Sequence, residues 1–122
     1  MNAAYVFRVT FELDPDRASV SPDRFETVVE VPAPEPDTEG WLLFRDRLWR
    51  GSVGDESSTR AFLGDRLGVT VVEVAFRELR TDRAYLDALE TAIAADLSRF
   101  EADGVDEVLH KYLGSSVHVR EP

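Results

Sequence analysis

The alternation near the start of the chain constrains its fold more than any other feature. Tyr5, Phe7, Val9, Phe11 and Leu13 are apolar, and Arg8, Thr10 and Glu12 lie between them. A period of two sends successive side chains to opposite faces of an extended backbone, so the stretch predicts a strand buried on one face, with Val6 the one apolar residue on the wet face. Asp14-Pro15 stops it, and a polar connection runs to Ser21-Pro22-Asp23. Phe25, Thr27, Val29 and Val31 then share one face while Glu26 and Glu30 share the other, which predicts a second strand returning antiparallel to the first. Pro32, Pro34 and Pro36 end that strand and favour a stiff extended connector.

From Asp37-Thr38 the texture changes. Trp41, Phe44, Leu48 and Trp49 recur at helical spacing, β-branched residues are absent, and Gly51 stands where a helix would end, so a helix is expected up to that glycine. A strand there would set Leu42, Phe44, Asp46 and Leu48 on one face and bury an aspartate, which favours the helix. A second helix is expected from Asp55 to Leu67, with Asp55 or Ser57 as N-cap and Gly68 as terminator, although Gly64 weakens it. Val69 to Leu79 is rich in β-branched residues and reads as a central strand, with Val72, Val74 and Phe76 on one side and Val71, Ala75 and Leu79 on the other.

Thr81 is the expected cap of the longest helix, whose stripe is Leu86, Leu89, Ile93, Leu97 and Phe100. A short helix is expected from Asp103 to Leu113, capped by Asp103, with Val105, Val108, Leu109 and Tyr112 on one face. Gly114 ends it, and Ser116 to Arg120 alternates as an edge strand. The order β-β-α-α-β-α-α-β predicts a single two-layer α+β domain over residues 1–122, with a four-stranded mixed or antiparallel sheet and helices mainly on one face.

Composition bears on the surroundings of such a domain. Twenty-four carboxylates face thirteen arginines and one lysine, Lys111, for a formal net charge of −10. Like charges ~10 Å apart in water repel by ~0.4 kcal/mol per pair, and in ~1 M salt the Debye length falls to ~3 Å, so concentrated salt removes the penalty. Replacing lysine by arginine trades a greasy stem for planar pairing with carboxylates. Both traits fit a salt-filled cytoplasm. The absence of cysteine excludes thiol catalysis, disulfides and Cys-ligated zinc, and agrees with an intracellular site. The start carries no basic segment and the apolar runs are too short to span a bilayer, so no membrane association is expected.

Three blocks, Leu48-Trp49-Arg50 before Gly51, Phe76 to Asp82, and His110-Lys111-Tyr112-Leu113-Gly114-Ser115-Ser116, together resemble the LWR-salt family of halophilic archaea. The resemblance implies an intracellular protein of an organism that accumulates salt. It brings no functional residues with it.

On the expected helix, Arg45 falls inside the apolar stripe one turn from Trp41 and one turn from Trp49. A guanidinium between two indoles would be held by cation–π contact, with its edge free for a carboxylate or phosphate. The plainer reading is that its stem covers the core while its head pairs with an acidic neighbour. Arg47 and Arg50 share the polar face, and Asp46 precedes Arg50 by one turn, as in a surface ion pair. Three arginines beside two tryptophans make too thin a positive footprint for nucleic acid on so acidic a domain. Asp106, His110 and His118 lack a metal-site pattern, and Asp106 is explained as a helix-start acid. Ser115 and His118 lack a nucleophile elbow, and Glu73, Glu78, Asp82 and Asp87 carry no pairing signal amid so many carboxylates. No phosphate-cradling glycine motif or cofactor signature is present.

The expected function is therefore contact, with a protein partner or a second copy, through Trp41, Arg45, Arg47, Trp49 and Arg50, since tryptophan and arginine dominate binding hot spots. The alternative is a small-anion binder or enzyme that uses Arg45 between the two indoles.

Overall fold

The computed structural model describes residues 1–13 and 24–120. The turn expected at Asp14-Pro15 and the connection through Ser21-Pro22-Asp23 lie outside the described residues.

Strand β1 (Ala3–Glu12) pairs antiparallel with β2 (Arg24–Pro32) in an unbroken register from Ala4 opposite Pro32 to Glu12 opposite Arg24. Tyr5, Phe7 and Val9 are buried on its inner face, as their alternation requires. The wet-face reading of Val6 is half right. Val6 sits on the outer face, with Glu30 and Glu78 as its cross-strand neighbours, but only 2 % of it is exposed, because Arg80 reaches across β1 to pair with Glu30. Long charged side chains cover apolar surface with their stems while their heads stay wet.

After the proline connector, which Tyr85 holds by donating its hydroxyl to Pro34 O at 2.8 Å, the expected long helix is reduced to α1 (Leu43–Arg47). The chain then forms a two-residue hairpin, β3 (Leu48–Trp49) and β4 (Ser52–Val53), with Arg50 and Gly51 at its tip. Both tip residues have positive φ, 51° and 80°, as a primed two-residue turn demands. Gly51 is thus a hairpin residue and not a helix terminator.

Helix α2 (Glu56–Leu67) matches the expectation closely. The Asp55 side chain accepts from Ser58 N at 3.0 Å, and Gly68 closes the helix in the left-handed conformation. Gly64 also has a reason to be there, since a Cβ at this position would lie 2.9 Å from Val69 O, where the chain doubles back into the next strand.

That strand, β5 (Thr70–Thr81), lies at the centre of the sheet, antiparallel to β1. Its faces differ from the simple alternation. The register slips between Thr10 and Phe11 and again between Val6 and Phe7, so Val71, Val74, Phe76 and Leu79 oppose Phe11, Val9, Phe7 and Tyr5 in turn. Each slip inserts one extra residue on β5 and reverses the parity of the residues beyond it. Val71, Val74, Phe76 and Leu79 therefore all join the core.

Asp82, rather than Thr81, caps α3 (Arg83–Ala94), accepting from Tyr85 N at 2.8 Å. Thr81 is the last residue of β5. The stripe expected to run on to Phe100 breaks at Ala95 and resumes in a 3-10 turn, Leu97–Phe100. In α4 (Val105–Leu113) the N-cap is Gly104, and the Glu107 carboxylate reaches back to Asp103 N at 2.8 Å, the reverse of the expected Asp103 cap. Strand β6 (Val117–Val119) lies parallel to β5 at the edge.

The architecture is α+β, with a four-stranded mixed sheet in the order β2-β1-β5-β6. Helix residues Leu63, Leu89, Ile93, Val108 and Leu113 share one buried cluster with the inner face of the sheet. On the other face Arg8, Glu26, Val28 and Glu73 are exposed. No described helix is long and apolar enough to cross a membrane.

Candidate functional site

The residues expected to form a site separate along α1 and the hairpin. Trp41 is 6 % exposed and packs against Phe44 and Phe100, with ring centroids 6.2 Å away in each case. Trp49 is 47 % exposed, with one edge against Tyr112 at 6.1 Å. Between them, Phe44 and Tyr112 are 5.9 Å apart, so the two indoles end one aromatic chain, one in the core and one at the surface. Such ring pairs contribute ~0.5–1.5 kcal/mol each beyond area burial and fix side-chain orientation.

Arg45 does not lie between the indoles. Its Nε and NH2 donate to Asp46 Oδ1 at 3.2 and 3.1 Å, an exposed neighbour pair, and the cation–ring contacts among the described residues belong to Arg47, Arg50 and Lys111. The physical cause is the end of the helix after Arg47, which removes the turn that would have stacked Trp49 over Arg45. The same break separates Asp46 from Arg50.

Arg47, Trp49 and Arg50 do come together around the hairpin. The Arg47 guanidinium lies 4.3 Å from the Phe62 ring centroid and donates to Ser58 Oγ at 3.1 Å, which ties the hairpin base to α2. Arg50 lies over its neighbour Trp49 at 5.7 Å.

The backbone of the tip has a separate task. An α-helix leaves its last four carbonyls without intrahelical partners. In α4 all four are met: His110 O by Gly114 N at 3.0 Å, Lys111 O by Arg50 N at 2.8 Å, Tyr112 O by Gly51 N at 3.0 Å, and Leu113 O by Ser116 N at 3.1 Å. Two of the four donors come from the hairpin tip. The approach is so close that a Cβ on Gly51 would lie 3.0 Å from Leu113 O, and one on Gly114 would lie 3.0 Å from Arg50 O. The tip thus locks onto α4 through main-chain groups and leaves the side chains of Trp49 and Arg50 outside. Arg50, a non-glycine residue at φ 51°, carries left-handed strain of ~1–2 kcal/mol that the lock sustains.

A second cluster escaped the sequence reading. Glu78, only 14 % exposed, is approached by His118 Nδ1 at 3.3 Å, Arg80 Nε at 3.7 Å and Arg120 NH2 at 4.0 Å. The parallel pairing of Arg80 with His118 brings these groups onto one face, and that register has no signal in the separate segments. Arg80 and Arg120 also border an open depression of about 440 Å³ beside Asn2, Thr81 and Asp82. Another, of about 320 Å³, lies between α3, α4 and β6, with Asp106, His110 and Ser115 at its rim and Leu86 and Leu109 among its apolar lining. His118 points to the other side of β6, towards Glu78 and away from Asp106 and His110. Among the described residues no three His, Asp or Glu side chains gather as metal ligands would.

Compared with known proteins, the chain matches the family model described as LWR-salt protein over residues 1–122. No curated protein and no solved structure matches it.

Proposed function

The chain belongs to the LWR-salt protein family, and on that premise we propose that it is a salt-adapted, non-enzymatic module of the cytoplasm that acts by protein contact through the Trp49 hairpin. The observation that carries this reading is an indole with 47 % exposure, held on a hairpin whose backbone is locked to α4. The lock uses main-chain donors and needs no tryptophan. A rigid, half-exposed aromatic flanked by arginines loses little conformational entropy on binding, and tryptophan and arginine are the side chains most enriched at hot spots. The exposed Arg50 suits a partner that presents carboxylates, since bidentate pairing acts at contact distance and is screened less than longer-range attraction, while Arg47 braces the hairpin from within through Phe62 and Ser58.

Support for salt adaptation is the net charge of −10 with thirteen arginines and one lysine. The same acidity disfavours a nucleic-acid partner, whose phosphates demand a broad positive footprint.

Photo-crosslinking tests the reading, using a photoreactive residue in place of Trp49 and, as control, of the exposed Arg77, in molar KCl with extract of the source cells. A discrete adduct from position 49, absent from position 77 and suppressed by Arg50→Glu, is the expected result. Equal labelling from both positions, or none from 49, overturns the reading.

A further inference from the structure

We infer that the outer edge of β2, which no other described strand covers, is a homodimer interface, in which two copies pair antiparallel about a two-fold axis at Thr27 to give one eight-stranded sheet. Ala33 N donates to Ala3 O at 2.9 Å, which identifies the odd-numbered residues of β2 as those bonded to β1. The N–H and C=O groups of the even-numbered residues Glu26, Val28 and Glu30 therefore point away from β1, and β2 ends the sheet with no described strand beyond it. Natural edge strands are commonly blunted by lysine, by bulges or by brevity. This one has nine residues, no lysine, no register slip against β1, and a proline only at its last position; its exposed charges, Arg24, Glu26 and Glu30, are of both signs, so a second copy can pair with them. It also exposes Val28 at 52 % and Phe25 at 36 %.

Charge selects the occupant and the register. Antiparallel pairing about Thr27 sets Arg24 opposite Glu30 of the second copy, twice by symmetry, with Phe25 opposite Val29 and Glu26 opposite Val28. Centring the axis one residue later, on Val28, would instead set Glu26 against Glu30 in two like-charge pairs, which is destabilising. Within each copy Arg24 already pairs with Glu12 at 2.8 Å and Glu30 with Arg80. The Thr27 register joins these pairs into one run of alternating sign across the junction, Arg80, Glu30, then Arg24 and Glu12 of the second copy. Concentrated salt weakens these exposed pairs, but it weakens the longer-range repulsion between two strongly acidic bodies more, so the balance moves towards association. The surface is separate from the Trp49 hairpin, and the inference does not rest on that reading.

The chain has no cysteine, so a single introduced thiol reports the register without background. At the two-fold axis Thr27 faces its own copy in a non-hydrogen-bonded pair, where Cα atoms are ~4.5 Å apart and a disulfide can close. Light scattering in molar KCl should show the mass doubling with concentration. Val28→Pro, which removes an amide directed only outward, and Val28→Lys should each leave a monomer with an unchanged circular dichroism spectrum. Thr27→Cys should oxidise to a covalent dimer and Phe25→Cys should not. The inference is overturned by a wild-type chain that stays monomeric at all concentrations, by a dimer that persists in Val28→Lys, or by a dimer that does not cross-link at position 27. Loss of the dimer in Trp49→Ala, with Val28→Lys still dimeric, would assign association to the hairpin instead.

Discussion

Thr59 and Asp82 show how single side chains set local terms in the stability. Thr59 is fully buried in α2, and its hydroxyl has no hydrogen-bond partner among the described residues. Leaving such a group unpaired costs ~1–3 kcal/mol, so Thr59→Val should raise stability by ~1 kcal/mol, read as a higher urea midpoint with unchanged slope. Asp82 is the opposite case, a polar group with good partners. Tyr85 N donates to Oδ1 and Asn2 N to Oδ2, each at 2.8 Å, and these bonds, that from Tyr85 foremost, hold its carboxyl below its ordinary value of 3.8. A lowered folded-state pKa means that the stabilisation is fully present above that ordinary value and is lost as pH falls through the folded-state one. The stability gap between wild type and Asp82→Asn should therefore be flat near neutrality and shrink on acidification below pH ~4. A gap that widens in acid would contradict the assignment.

Among the elements, the junction of the hairpin with α4 makes the sharpest demand on sequence. Gly114 has φ 60° and ψ −134°, and a Cβ there meets the Arg50 carbonyl, whereas Gly68, also at positive φ, has nothing within 4 Å. Gly68→Ala should cost ~1 kcal/mol, the left-handed penalty alone, and Gly114→Ala ~2 kcal/mol or more, as measured by thermal unfolding. Equal costs would mean that neither the close approach nor the glycine-only ψ of Gly114 carries energy. This junction is also the least legible part of the chain. The β1 and β2 alternation, the Asp55 and Gly68 caps of α2 and the Gly114 stop of α4 come from spacing and local chemistry, and the structure bears them out. The hairpin does not. A primed turn is usually announced by Asn-Gly or Asp-Gly, and here Arg50 takes the first left-handed position, supported by a helix end far along the chain. The faces of β5 depart from simple alternation for a related reason, because a bulge is fixed by the partner strand and leaves no periodic trace. Of the residues proposed for contact, Arg47, Trp49 and Arg50 gather at the hairpin, while Trp41 is drawn into the core by Phe44 and Phe100.

For the molecule as a whole, charge is the term most open to manipulation. With −10 on 122 residues, repulsion is summed over many exposed carboxylates, whereas the ion pairs Arg24–Glu12, Arg45–Asp46 and Arg99–Asp96 are at least partly exposed and each contribute little. Salt should therefore remove more repulsion than attraction. Raising KCl from ~0.1 M to ~1 M, which shortens the Debye length from ~10 Å to ~3 Å, should raise the urea midpoint steadily, and a flat or falling trend would count against salt adaptation. The shared completion of α4 also ties two distant parts of the chain in time. Its final turn borrows amides from a hairpin far back in the sequence, so that turn and the hairpin tip are completed by the same two hydrogen bonds. During refolding the Arg50 and Gly51 amides should become protected from exchange in the same kinetic phase in which Trp49 emission reaches its final wavelength, and in the native state both should open together as one cooperative unit.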